Sequence, residues 1–114
     1  MDFAEPATFA GFHAHIYYDE GTRDVAAKIR DAIEQRFDVV MGRWRDQPVG
    51  PHPQAMYQVA FAAGLFDTFV PWLMLNHTGI PVLIHPNTTG NDLFDHSEAA
   101  MWLGEKLTLD LSGL

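Results

Sequence analysis

Seven residues, Phe12 to Tyr18, alternate without a break: Phe12, Ala14, Ile16 and Tyr18 fall on one side, His13, His15 and Tyr17 on the other. A period of two reads as a strand with unlike faces. The first side packs on helices. The second carries two imidazoles and a phenol the opposite way, and a fold built on this strand has to accommodate both.

The patterns around it follow in the order β-α-β-β-α-β. Asp19-Glu20-Gly21 is turn material, and Thr22 caps a helix in which Val25, Ile29 and Ile33 recur every four residues, with Phe37 closing the stripe. Asp38 to Arg45 reads as a second strand, with Val40, Gly42 and Trp44 opposite Met41, Arg43 and Arg45. The stretch Gln47 to Gln54 holds three prolines and a glycine, too stiff for a regular element. Ala55 to Phe61 is the third strand. A helix capped by Asp67 runs to Asn76 with Phe69, Val70 and Leu73 inward and Pro71 in or near its first turn, where a missing N–H costs least. Gly79 suits a left-handed stop. Ile80 to Ile84 is a short fourth strand leading to His85-Pro86. Asp95 with Glu98 three residues on resembles a capping box for a last helix ending near Gly104. Leu107, Leu109 and Leu111 then alternate in an extended segment, an added strand or a subunit contact. The fold expected is α+β, a ferredoxin-like βαββαβ sandwich with an extra C-terminal helix and extended segment. Residues 1–11 read as a flexible leader and 12–114 as a single domain.

Composition narrows the function. A length of 114 residues fits one domain, and an apolar fraction of 47% is ample for one core. Seven basic residues in no run and a net charge of −8 argue against a nucleic-acid partner. No apolar stretch approaches the roughly 20 residues that cross a bilayer. The first ten residues lack the order of a signal peptide, so the expected location is cytoplasmic. With no cysteine, disulfides, zinc-thiolate sites and thiol nucleophiles are excluded, and a bound metal has to be held by imidazole and carboxylate.

The expected strand order is 4-1-3-2, with strands 1 and 3 parallel and strand 4 antiparallel to strand 1. The starts of strands 1 and 3 and the end of strand 4 then share one edge of the sheet. That edge gathers His13 and His15, His52 just before strand 3, and His85, with Arg43 and Arg45 arriving at the end of strand 2. One histidine alone is usually structural; four converging point to a metal site. His77, at a helix C-terminus, is explained by the helix dipole. His96 reads as a first-turn helix residue or as a fifth member of the cluster. Imidazole with carboxylate suits Zn, Cu, Fe and Ni. Asp92, Asp95 and Glu98 are the candidate carboxylates, and a three-histidine site is equally allowed. Tyr17, Arg43, Arg45 and Gln58 complete the polar groups of the open face, the arginines as natural bidentate partners for a carboxylate. Met41, Met56 and Leu83 on the same face, with Leu107 and Leu109 as an alternating edge, suggest a homodimer.

Several segments taken together, Phe12-His13-Ala14-His15-Ile16-Tyr17-Tyr18, Val49-Gly50-Pro51-His52-Pro53, Met56-Tyr57-Gln58-Val59-Ala60-Phe61, Trp72-Leu73-Met74-Leu75-Asn76, His85-Pro86-Asn87-Thr88, Gly90-Asn91-Asp92 and Asp95-His96, resemble the DOPA 4,5-dioxygenase family of fungi and bacteria. The resemblance runs from about Phe12 to Gly104. Asn87-Thr88-Thr89-Gly90 carries one residue more than the Asn-Thr-Gly expected. The resemblance implies a ferredoxin-like fold, dimerisation, and Fe(II)-dependent extradiol opening of L-DOPA or a related catechol with O2. Another divalent metal such as Zn could occupy the same site. On this reading His15, His52 and His85 ligate the metal, His13 and His96 move protons, and Tyr17, Arg43, Arg45 and Gln58 meet the substrate. The rival readings are a dimeric binding module without catalysis and a metal-free monooxygenase or isomerase.

Overall fold

The structure, a computed structural model, describes residues 1–88 and 90–114. Thr89, in the Asn87–Gly90 loop that carries one residue more than expected, lies outside the described residues. Strand β1 (Phe12–Tyr18) leads to helix α1 (Arg23–Arg36), β2 (Val40–Met41), β3 (Ala55–Phe61), α2 (Phe66–Asn76), β4 (Val82–Pro86), α3 (Asp92–His96) and β5 (Met101–Leu103). The strands form one antiparallel sheet in the order β2-β3-β1-β4-β5, with β1 at its centre.

The alternation of β1 holds. Ala14, Ile16 and Tyr18 pack with Ala26, Ile29 and Ile33 of α1 and Phe69, Val70 and Leu73 of α2, while Tyr17 belongs to a separate cluster across the sheet. Each large apolar side chain in the helix-facing core contributes about 1.5–3 kcal/mol on burial. Tyr57 is fully buried there because its hydroxyl donates to the Ala26 carbonyl at 2.8 Å. Gly11 lets the chain enter β1. Its φ is +146°, and a Cβ there would lie 3.1 Å from the Phe61 carbonyl oxygen.

Strands β1 and β3 are antiparallel, not parallel as expected, with Phe12 opposite Phe61 and Tyr18 opposite Ala55. The α1 crossover brings β2 back in the direction of β1, and the return from β2 to β3 reverses the chain, so β3 has to run against β1. The start of β3 and the Arg45 bridge to Met56 therefore lie at the Tyr18 end of β1, away from His13. The second strand is also shorter than its pattern. From Met41 to Arg45 the chain takes four steps against three from Met56 to Val59, so one extra residue bulges out. Met41 and Trp44 both turn to the helix-facing core as a result, and Met41 leaves the open face expected for it.

Other boundaries move for local reasons. The Thr22 hydroxyl donates back to Asp19 at 3.1 Å and makes no forward cap. Helix α2 starts at Phe66, after a 3-10 turn at Ala63–Leu65, which places Asp67 in its first turn and Pro71 inside the helix. Ile80 closes a turn with His77, so β4 begins two residues later than expected. The capping box at Asp95 is not formed. Asn91 caps α3 instead, accepting from the Phe94 amide at 3.1 Å, and the rest of the expected helix is the edge strand β5.

The alternating leucines make no strand. Leu107 and Leu109 lie across the face away from α1 and α2, against Tyr17, Met56, Leu83 and Trp102. The tail is a strap over the open face. Among the described residues no helix is long and apolar enough to cross a membrane.

Candidate metal centre

Antiparallel register puts directly opposed residues on one face. His13 is paired with His85, and His15 lies between Gln58 and Leu83. His13, His15 and His85 thus share the strap side of the sheet. His52 reaches the same place by a different route from the one expected. It does not arrive at a shared sheet edge; the proline-rich segment folds back over the face and delivers it. That segment is tied down at its start by Asp46, which accepts from Tyr18 (2.7 Å) and Arg23 (3.0 Å), and near its end by the Asp110 amide donating to the Pro51 carbonyl (2.9 Å). His96 comes in from α3.

Five of the six histidines therefore meet. Ring centroids of His15 lie 4.2 Å from His52, 5.1 Å from His85, 6.0 Å from His13 and 6.1 Å from His96; His85 and His96 are 4.0 Å apart. Two sets of three donors lie within 4.8 Å of one another, His13-His15-His85 and His15-His52-His96, and His15 belongs to both. The expected ligand set His15-His52-His85 draws on each. His77 lies apart, its Nδ1 donating to the Ile80 carbonyl.

Hydrogen bonds fix several of the rings. A carbonyl only accepts, so His85 Nδ1 donates to Pro86 (3.0 Å) and His96 Nδ1 donates to Asp92 (2.8 Å), which leaves each Nε2 with its lone pair, that of His85 aimed at His15 Nε2. This is how imidazole ligands are commonly oriented. Tyr17 Oη lies 2.6 Å from His52 Nδ1, and Tyr17 itself is fully buried, stacked on Trp102. His15 Nε2 donates to His85 Nε2 at 3.0 Å, and His15 Nδ1 is buried with no hydrogen-bond partner among the described residues. An unpaired buried polar atom costs about 1–3 kcal/mol, and with Nε2 donating, His15 Nδ1 carries an unshared lone pair.

Burial favours the neutral form of His13, His15, His52 and His85. It pushes His15 well below its ordinary value, with the neighbouring histidines adding to the effect, and brings His52 and His85 to about 4. His13 is lowered too, first by burial and then by His96, against the opposing pull of Asp92 and Asp95. Neutral imidazole is the form that binds a metal. The donor set fits a borderline cation such as Fe, Zn, Cu or Ni. The closely grouped donors among the described residues are all histidines. Asp95, a candidate carboxylate, is buried but engaged elsewhere, accepting from the Thr88 amide (3.0 Å) and hydroxyl (2.7 Å).

Of the groups expected to meet a substrate, Arg45 and Gln58 line a cavity of about 300 Å³ with His15, His52 and Met56. Arg43 is exposed and not among its lining residues, and the Tyr17 hydroxyl faces His52. Sequence reasoning missed the strap, the Tyr17–His52 pair and the Asp95–Thr88 clamp. The alternating leucines signalled the first; the other two are long-range pairings without a sequence pattern.

A mixed α+β domain with one antiparallel sheet and a knot of buried imidazoles beside a cavity defines a class of proteins able to hold a metal. The chain belongs to the Dopa 4,5-dioxygenase family, whose model matches residues 12–113. It is 36% identical over 112 residues to an uncharacterised 21.2 kDa protein of Botryotinia fuckeliana and 30% identical over 112 residues to a DOPA 4,5-dioxygenase of Amanita muscaria. These alignments take in 89% and 90% of the chain but 61% and 49% of the two relatives, so the chain spans about half to three-fifths of their length. A crystal structure from Nostoc punctiforme, described as a "putative dioxygenase", superposes with a TM-score of 0.93 at 50% identity, covering 96% of this chain and 94% of that one.

Proposed function

We propose that this chain is an extradiol dioxygenase with a ferredoxin-like topology, cytoplasmic, opening the ring of L-DOPA or a related catechol with non-haem Fe(II) and O2. The observation that carries the reading is the five-histidine cluster beside a cavity walled by Arg45 and Gln58. Overall, both atoms of O2 enter the catechol, the ring bond beside a hydroxyl-bearing carbon breaks, and an aldehyde and a carboxylate result. No outside reductant is needed.

His15, His52 and His85 are the three buried members and would hold the iron. When bound, Fe(II) lowers the pKa of the catechol hydroxyls and offers a place for dioxygen beside the ring. His13 and His96 are half-buried and keep contact with water, which suits them to take a proton from the catechol and return it to the product. For His96 the accepting atom is Nε2, because Nδ1 is committed to Asp92. Arg45 would pair with the carboxylate of the substrate, and Gln58 with a polar group nearer the ring. Tyr17 contributes by holding His52 in place.

Kinetics of two variants test these roles. Arg45→Ala should raise KM more than it lowers kcat, as expected for a contact made equally in the ground and transition states. His13→Ala should lower kcat with metal content unchanged. Equal kinetics in both variants and the parent would remove Arg45 and His13 from the site.

A further inference from the structure

On the helix side of the sheet, just past the point where β5 leaves β4, lies a second cavity of about 130 Å³. Phe12, Phe66, Ile84, Pro86 and Met101 line it, and His85 forms part of its wall. Ile84 and Met101 are the last pair of the β4–β5 ladder. Beyond them the strands part, and the cavity sits in that gap, touching a residue of the histidine cluster. Phe9 and Ala99 also line it, and both are half-buried, as are Phe12, Phe66 and Met101, so the cavity opens outward. Its lining contrasts with that of the larger cavity at Arg45 and Gln58.

Walls of this kind offer water few hydrogen-bond partners, although the mouth meets solvent. An engineered cavity of about 150 Å³ lined by Leu, Ile and Phe stays dry and takes up benzene or xenon. A catechol acid needs several polar partners, and among the described residues His85 is the one polar side chain of these walls, whereas dioxygen is small and apolar and needs none. Building on the dioxygenase reading, we propose that this cavity is a dioxygen site and entry route, delivering O2 to the histidine cluster past His85 while the organic substrate enters beside Arg45. Two substrates of opposite polarity then approach from opposite sides of the sheet and do not compete for one mouth.

Xenon-pressurised crystals of the unmodified protein, together with steady-state kinetics of Ala99→Phe, test this. Xenon should occupy the cavity between Phe12, Phe66 and Met101. In Ala99→Phe the xenon should be lost and the KM for O2 should rise severalfold, with the KM for catechol and the metal content unchanged. Ala99→Val is the milder variant if the phenylalanine prevents folding, with the same direction expected. No xenon in the cavity, or an unchanged KM for O2 in a folded variant, would overturn the proposal. If the unmodified iron-loaded protein consumes no oxygen with any catechol, the dioxygenase reading itself fails and the dioxygen site falls with it. An active parent with an indifferent variant overturns the dioxygen site alone.

Discussion

His52 shows what one residue can and cannot disclose. The topological ground for placing it in the cluster, a β3 parallel to β1, does not hold, and His52 arrives there through a proline-rich segment that is folded back by contacts at Asp46 and Pro51 and has no periodicity to read. Tyr17 alternates with His15 and so lies on the right face, yet only the fold reveals that its hydroxyl meets His52. Tyr17→Phe should cost about 1–2 kcal/mol of stability in urea unfolding, since it leaves a buried ring nitrogen unpaired. It should also weaken metal binding about 10–100-fold, the usual effect of losing an outer-shell partner. His52→Ala and His85→Ala should each lose most of the metal while keeping the circular dichroism of the parent. Stoichiometric metal in both would remove these two histidines from the ligand set. The same two residues set a pH dependence. Unfolded, each binds a proton near pH 6.5; folded, near pH 4. Between those values the unfolded chain of the metal-free protein holds more protons, so stability is full above about 6.5 and falls as the pH drops toward 4. The slope is about 1.4 kcal/mol per pH unit for each such group. Thermal melts of metal-free protein across this range should show Tm falling with pH, and a flat profile would contradict the burial of neutral rings.

At the scale of elements, β1 and β3 fall where the sequence puts them, β1 because it alternates strictly before a turn signal and β3 because it is a short apolar run between Pro53 and Gly64. Strand β2 does not. The bulge after Met41 shifts the phase of the pattern, and Gly42 permits the close approach that accompanies it: a Cβ there would lie 3.1 Å from the Gln58 carbonyl oxygen. The C-terminal leucines alternate as a strand would, but a single buried face is also what a strap needs, and local pattern cannot separate the two. The strap bears on the site as well as on stability. Leu107 is buried against Tyr17, Met56 and Leu83, and the Asp110 amide a few residues on holds Pro51, next to His52. Leu107→Ala should cost about 2–3 kcal/mol in denaturant unfolding, the lower part of the range for a truncated core leucine. Metal affinity should fall with it, because the same strap fixes the His52 segment. A destabilised protein with unaltered affinity would separate the strap from the site.

For the molecule as a whole, the strap alters the case for a homodimer. Met56 and Leu83 do lie on the open face, but Leu107 and Leu109 already cover them. The dimer implied by the family resemblance would need another surface, and the exposed Met74 and Leu75 on α2 offer one. Light scattering should then give twice the chain mass, with Leu75→Glu returning it to that of one chain; a single-chain mass for the parent at micromolar concentration would count against the dimer. The gathering of five histidines around β1, on the face away from α1 and α2 and beside the Arg45 cavity, supports the proposal that an iron held there opens a catechol ring. Oxygen uptake measures that most directly. Protein loaded anaerobically with Fe(II), assayed against L-DOPA and a panel of related catechol acids, should consume one O2 per catechol and form a yellow ring-opened product. Fully loaded protein that takes up no oxygen with any catechol of the panel would contradict the account.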